Sequence, residues 1–147
     1  MPEGASFSWS DRGQGRQSLD GIGVGDFTLL RADGHWAYHL AVVVDDEAQG
    51  VTDVVRGADL VSATACHLAL QKAMCFNEPR YMHVDVVVNE QGQKLSKQTL
   101  ALPVELRDTP LVMQQVMMHL GLGPMERNPV EDMLQEGLRR WSERHLK

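Results

Sequence analysis

Cysteine is scarce in this chain. Cys66 and Cys75 are its only two, with no CxxC pair and no histidine-rich cluster beside them, which excludes a disulfide scaffold and argues against a structural zinc centre. Both are expected to be buried, reduced thiols. A basic excess is also lacking: 14 Lys+Arg stand against 20 Asp+Glu, for a net charge of −6, so nothing global advertises a nucleic-acid partner, although a local basic patch stays open. The longest uncharged apolar run, residues 40–44, is far shorter than the roughly 20 residues that span a bilayer. Residues 2–25 have no apolar block of the kind a signal peptide needs, and the cytoplasm is the expected compartment. There is no G-x-S-x-G elbow and no Walker loop, and the GIGVG at 21–25 precedes a strand pattern where a dinucleotide fingerprint would follow one. The common hydrolase, P-loop kinase and dehydrogenase readings fall away. Six histidines are scattered; His35 and His39 could share a helical face, but no third ligand follows at metal spacing, so no metal site is expected.

What is present is a chain of 147 residues, 43% hydrophobic and 23% charged, enough for one respectable core. Residues 1–25 are punctuated by Gly13, Gly15, Gly21, Gly23 and Gly25 and are expected to form an irregular leading segment. Residues 27–31 alternate around Leu29 and run into Asp33-Gly34, which predicts a strand and a tight turn. The stretch 38–50 is ambiguous: three consecutive valines favour a strand, whereas Leu40, Val43, Val44 and Glu47 sit at helical spacing. Residues 51–55 between two glycines read as a buried strand. From Ser62, a good N-cap, the positions Ala65, Leu68, Ala69, Ala73 and Met74 predict a helix closed by Asn77 and Pro79. Residues 81–88 predict a strand, with turn chemistry at 89–92. Strand, helix and strand in succession predict a crossover unit of a parallel sheet.

The last third is helical in pattern. Asp108 can cap a helix with Pro110 in its first turn, a face of Val112, Val116, Met117 and Leu120, and Gly121 just past its end. Asn128, Pro129 and Glu131 have the spacing of a capping box, and Val130, Met133, Leu134, Leu138 and Trp141 form the stripe of the helix that follows. The expected organisation is therefore an α/β part over 1–105 and a small helical part over 106–147.

Charge is uneven along the chain. Residues 1–60 hold ten acids and four bases, and residues 61–107 four acids and five bases. In this less acidic stretch lies Lys94-Leu95-Ser96-Lys97-Gln98, two ammonium groups flanking a hydroxyl on a loop, able to converge on a polyphosphate or simply to be solvated. At the end of the 51–55 strand stands Arg56-Gly57-Ala58-Asp59. In an open α/β sheet, ligands bind beyond the carboxyl ends of the strands, so Arg56 could clamp a carboxylate through its planar fork. It could equally pair with Asp59, Asp45 or Asp46 as a structural ion pair. Tyr38 can offer a hydroxyl to a substrate or can be packing. Asp45 and Asp46, being adjacent, diverge in either a helix or a strand and make a poor acid–base pair.

The stretch 38–60, reading YHLAVVVDDEAQGVTDVVRGADL, followed by KLSKQ at 94–98, closely resembles the glutamyl-tRNA synthetase group of class I aminoacyl-tRNA synthetases. The closing Gln98 and the Arg-Gly-Ala-Asp-Leu wording resemble its glutamyl-Q branch, which attaches glutamate to the queuosine of tRNA(Asp), more than the anticodon-reading enzymes that charge tRNA(Glu). The resemblance implies a Rossmann-like parallel sheet followed by a helical stem-contact region, and a helix from Tyr38 onward. It implies that Tyr38 and Arg56 hold L-glutamate and that Lys94, Leu95, Ser96, Lys97 and Gln98 form the loop that binds ATP, with Lys97 acting on the phosphates and Mg2+ accompanying the nucleotide. The implied partners are glutamate, ATP and tRNA, with no membrane. The first ATP-binding motif of the class, of His-x-Gly-His type, does not occur, nor does the branch's cysteine-rich zinc insertion, and Thr99-Leu100-Ala101 stands where Asn-His-Ala is usual. By this resemblance the chain corresponds to the carboxyl-terminal half of the catalytic domain, with an exposed sheet edge and impaired adenylate formation when isolated. A catalytically inactive tRNA- or protein-binding remnant is the alternative from another class.

Overall fold

The structure, a computed structural model, describes residues 6–97, 100–104 and 106–145. It divides into two compact units, residues 1–84 and 85–147, and each is described by itself. The class is α/β.

In the first unit, β1 (Ser6–Asp11) and β2 (Gly15–Asp20) form an antiparallel hairpin that runs into a single helical turn, α1 (Gly21–Val24). Within the segment expected to be irregular over 1–25, the described residues thus form a hairpin and a helical turn. Its signal is the alternation of Phe7 and Trp9 with serines, which the flanking glycines obscure. Residues 27–31, expected as a strand, make only one isolated bridge, Leu30 to Trp36, around the turn in which Gly34 N–H donates to Arg31 O. The segment is too short and too open to pair further.

Helix α2 (Tyr38–Gln49) resolves the ambiguity of its valines. The propensity penalty of three valines is a few tenths of a kcal/mol each, and packing against α3 with Val43 fully buried outweighs it. The helix stops at Gly50, whose φ of 69° lets its N–H reach Asp46 O and Glu47 O. Then come β3 (Asp53–Gly57), a 3-10 turn (Ala58–Leu60), α3 (Ala63–Met74) and β4 (Arg80–Val84). The strand order is β2-β1-β4-β3, with β1, β4 and β3 parallel. The β3–β4 pairing across α3 is the one the crossover pattern predicts, whereas the β1–β4 pairing lies in a segment expected to be irregular.

Several details depart from expectation. β3 lies at the end of the strand order and is not buried, with Val55 61% exposed. Ser62 makes no capping hydrogen bond, because the preceding 3-10 turn already supplies a helical backbone there. α3 ends at Cys75 in the left-handed region (φ 57°), before Asn77 and Pro79. Cys75 is accordingly exposed, whereas Cys66 is buried. β4 stops at Val84 rather than at Val88.

In the second unit the expected turn is present: Asn89 Oδ1 accepts the N–H groups of Gln91 and Gln93, and Gly92 N–H donates to Asn89 O. Helix α4 (Thr109–His119) is capped by Asp108, whose carboxylate accepts Leu111 N–H. Helix α5 (Val130–His145) packs on it through Met117, Met125 and Met133, with Met113 and Leu122 alongside. Of the predicted α5 stripe, Met133 is fully buried while Leu134 and Leu138 are exposed. Arg140 and Arg144 reach back to the carbonyls of Leu122, Pro124 and Gly121, where α4 ends. The compact units part at 84/85, whereas the sequence pattern leads one to expect a division at 105/106. Among the described residues, no helix is long and apolar enough to cross a membrane.

Candidate functional site

Four elements of the first unit converge on Arg56. On β3, Arg56 is paired in register with His83 of β4, and side chains at matched positions of parallel neighbours share a face. Arg56 Nε therefore donates to His83 Nε2 at 2.9 Å. On α3, Thr64, His67 and Gln71 recur every three or four residues and form a buried polar stripe facing the sheet. Arg56 Nη1 lies 3.0 Å from His67 Nδ1, and Nη2 donates to Thr64 Oγ1 at 2.9 Å and to Leu60 O at 3.3 Å. The guanidinium carbon also stands 5.5 Å from the Tyr81 ring centroid, in cation–π range.

The histidines are themselves anchored. His83, fully buried, meets Asp11 through Nδ1, and Asp11 is buried with it at the end of β1. Asp11 Oδ1 accepts three backbone N–H groups, from Gly13 at 3.0 Å and from Gln14 and His83 at 2.9 Å each. Burial raises the Asp11 carboxyl, but the hydrogen bonds from the His83 side chain and from these amides together hold it below its ordinary value. Gly13 is required at the turn: a Cβ there would stand 2.1 Å from His83 O. On the other side, His67 Nε2 is 3.1 Å from His39 Nδ1. Burial, then Arg56, His39 and His83, push His67 down to about 3, so it is neutral. Burial and Arg56 lower His39 as well.

Tyr38, at the first position of α2, is half exposed, with its ring 5.5 Å from that of His39 and 5.8 Å from that of His67. Tyr38 and Arg56, the two glutamate-binding candidates, thus meet at His67. Among the described residues, Arg56 gives its hydrogen bonds to neutral acceptors, not to a carboxylate. Asp46 is felt at longer range: burial raises its carboxyl, Arg56 opposes that, and Asp45 adds to it.

Lys94, Leu95, Ser96 and Lys97 share a loop of the second unit. Lys94 bridges to Val88, Leu95 N–H donates to Val87 O, and Ala101 N–H returns to Ser96 O. Leu95 and Lys97 are exposed. Leu100 closes the loop with φ at 53°, a conformation that costs a bulky residue about 1–3 kcal/mol. Gln98 lies outside the described residues. Among the described residues, no three His, Cys, Asp or Glu side chains gather as a metal site would require.

The catalytic-domain model of the class I tRNA synthetases for glutamate and glutamine (E and Q) matches residues 1–135. The chain belongs to that family. It is 50% identical over 139 residues to the glutamyl-Q tRNA(Asp) synthetase of Leptothrix cholodnii, covering 93% of this chain and 46% of the relative. It is 43% identical over 150 residues to that of Xanthomonas campestris pv. campestris, covering 99% and 50%. The chain therefore spans about half the length of these relatives. Among solved structures, a glutamate-tRNA synthetase from Elizabethkingia anophelis is similar with a TM-score of 0.61 and 30% identity, over 71% of this chain and 22% of that one. A glutamate tRNA ligase from Elizabethkingia meningosepticum, crystallised with its amino acid, shares the fold at a TM-score of 0.69 over 92% of this chain and 32% of that one.

Sequence reasoning weighed His39 only as a metal ligand and missed Asp11, Thr64, His67 and His83 in this class I synthetase unit. One signal was available: Thr64, His67 and Gln71 interrupt the apolar face of α3 at helical spacing, and a polar stripe on a buried face calls for partners.

Proposed function

We propose that the chain supplies the glutamate-holding and signature-loop part of a glutamyl-Q tRNA(Asp) synthetase, working with ATP and tRNA in the cytoplasm. The observation that carries this is the half-buried Arg56 guanidinium, which is fixed in place yet, among the described residues, hydrogen-bonded only to neutral acceptors. Such a cation favours a carboxylate strongly, because part of its desolvation cost has no directly bonded counter-charge to offset it. Tyr38, half exposed over His67 and His39, offers a phenol beside it. Arg56 and Tyr38 hold L-glutamate in this reading, and the 94–98 loop holds the phosphates of ATP.

The glutamate α-carboxylate oxygen attacks the α-phosphorus of ATP. A carboxyl O–P bond forms, the α–β phosphoanhydride bond breaks and pyrophosphate leaves with its electron pair. Lys97, with Lys94 and Ser96, offsets the charge developing on the phosphates. The queuosine of tRNA(Asp) then takes the glutamyl group and AMP departs. Mg2+ would come with ATP, drawing most of its ligands from phosphate oxygens and water. The helical region 106–147 contacts the tRNA stem in this reading.

The test is glutamate-dependent ATP–pyrophosphate exchange, with the chain supplemented by the portion of the Leptothrix cholodnii relative that it does not cover. Exchange is expected with glutamate and not with glutamine. Arg56→Lys and Lys97→Ala should each lower it by roughly two orders of magnitude. No exchange with the supplement, or exchange indifferent to Arg56→Lys, overturns the reading. Charging of tRNA(Glu) in preference to queuosine-bearing tRNA(Asp) would overturn the choice of branch alone.

A further inference from the structure

A guanidinium only donates hydrogen bonds, so each nitrogen facing Arg56 must present a lone pair. That requirement fixes the protons of the whole cluster. His83 accepts at Nε2 and therefore carries its proton on Nδ1, where Asp11 Oδ2 receives it. His67 accepts at Nδ1 and therefore carries its proton on Nε2, donating to His39 Nδ1, which leaves the His39 proton on its own Nε2. All three imidazoles are neutral, and each tautomer is set by its neighbour.

Asp11 cannot turn away, because three backbone N–H groups hold its other oxygen. Its negative charge thus stands one imidazole from the guanidinium. It compensates the half-buried cation electrostatically without occupying the fork that a direct Asp–Arg pair would fill. Four of the five N–H groups of Arg56 are used, on His83, His67, Thr64 and Leu60, and among the described residues one on Nη1 remains.

We infer that Asp11, acting through His83, and His67 from the opposite side are positioning residues that fix the Arg56 fork through two neutral imidazoles of opposite tautomer, leaving one N–H free for an incoming carboxylate. The last clause rests on the reading of Arg56 as the glutamate-binding cation; the tautomers and the aim of the fork do not.

Asp11→Asn probes the arrangement with almost no change of shape. The amide oxygen must stay where the three N–H groups point, so the amide nitrogen takes the place of Oδ2 and donates to His83 Nδ1. The His83 proton is then forced to Nε2, donor against donor with Arg56 Nε–H. Long-range 1H–15N correlation spectra of the 15N-labelled full chain at neutral pH read this directly. In the unaltered protein His83 should be protonated at Nδ1 and His67 at Nε2. In Asp11→Asn the His83 tautomer should switch and the Arg56 Nε–H resonance should shift and exchange faster. Titrated L-glutamate should move the Arg56 side-chain resonances of the unaltered protein, with affinity weakened roughly tenfold in Asp11→Asn.

A His83 that is doubly protonated or protonated at Nε2 in the unaltered protein overturns the inference. So does a tautomer switch that leaves Arg56 unmoved. Should Asp11→Asn fail to fold, the spectrum of the unaltered protein still decides the tautomers, and His67→Gln against His67→Leu decides the aim: the acceptor retained by Gln keeps the Arg56 resonances in place and its loss in Leu moves them, while equal effects overturn the role of His67. If the tautomers are as assigned and glutamate perturbs nothing, the positioning roles stand and the glutamate reading fails.

Discussion

The two units solve the burial problem with different chemistry. The first buries Asp11, Thr64, His67, Gln71 and His83 among Val43, Ala65, Leu68, Tyr81 and Met82. The second closes over Met117, Met125 and Met133 without a titratable group in its cluster. Methionine is unbranched and adaptable, so a methionine core specifies volume more than identity. A buried hydrogen-bond network specifies atoms, since every donor must meet an acceptor and each failure costs a desolvated polar group. The polar core is the less economical one to build, and it is the one that aims Arg56. The contrast teaches where identity is demanded by chemistry and where only shape is.

The largest effect should come from breaking the polar core. His83→Leu leaves Asp11 buried without its side-chain partner and removes an Arg56 acceptor, so a loss of about 3–5 kcal/mol is expected in denaturant unfolding. A loss below about 1 kcal/mol would mean that the network is solvated and would erase the contrast.

Acid should separate the units next. Free histidine titrates near 6.5 and His67 in the fold near 3, so between those values the unfolded chain binds a proton that the folded one refuses. Stability therefore rises with pH from about 3 to 6.5 and levels off above, a contribution on the order of 4 kcal/mol in all. His39 acts in the same sense. Asp11, lowered in the fold, adds stability that is present above its ordinary 3.8 and is lost as the pH falls through its folded value. Amide exchange measured at pH 7 and pH 4.5 should show the loss of protection concentrated in β1, β4 and α3. Equal loss in α4 and α5 would contradict the assignment.

The methionine core should discriminate by volume. Met133→Ala should cost about 2–4 kcal/mol, because the site is 1% exposed, whereas Met133→Leu should cost less than about 1.5 kcal/mol. If Leu proves as damaging as Ala, the second core is as exacting as the first. The smallest effect belongs to the surface of α5. There Glu136 is held down to about 2 by Arg139 and Arg140, yet the cluster is solvated, and Glu136→Gln should leave the thermal midpoint within experimental error at 0.15 M salt.

Legibility in the sequence followed the range of the forces involved. The helices α3, α4 and α5, the 89–92 turn and the parallel β3–α3–β4 crossover were all readable from spacing, caps and turn residues. The β1–β2 hairpin carried a period-two signal in Phe7 and Trp9 that glycine-rich flanks concealed. The 27–31 strand failed because local alternation supplies no partner strand. At the site, Arg56 and Tyr38 were legible as candidates that local chemistry left open and the resemblance selected, but their setting was not legible: no local rule connects His67 to Arg56, or distinguishes these histidines from the exposed His35.

The sequence by itself determined where α3, α4 and α5 run, that the strands on either side of α3 lie parallel, and the two motifs, RGADL at 56–60 and KLSKQ at 94–98, that mark the family. The tertiary structure alone decided that Asp11 and His83, 72 positions apart, form a buried pair, and that Arg56 gives its hydrogen bonds to neutral imidazoles rather than to a neighbouring aspartate. Periodicity and capping act within a turn or two of chain. The protonation of a buried histidine is set by whichever donor or acceptor the fold brings opposite each ring nitrogen, and here that meeting requires β1, β3, α3 and β4 to be packed together.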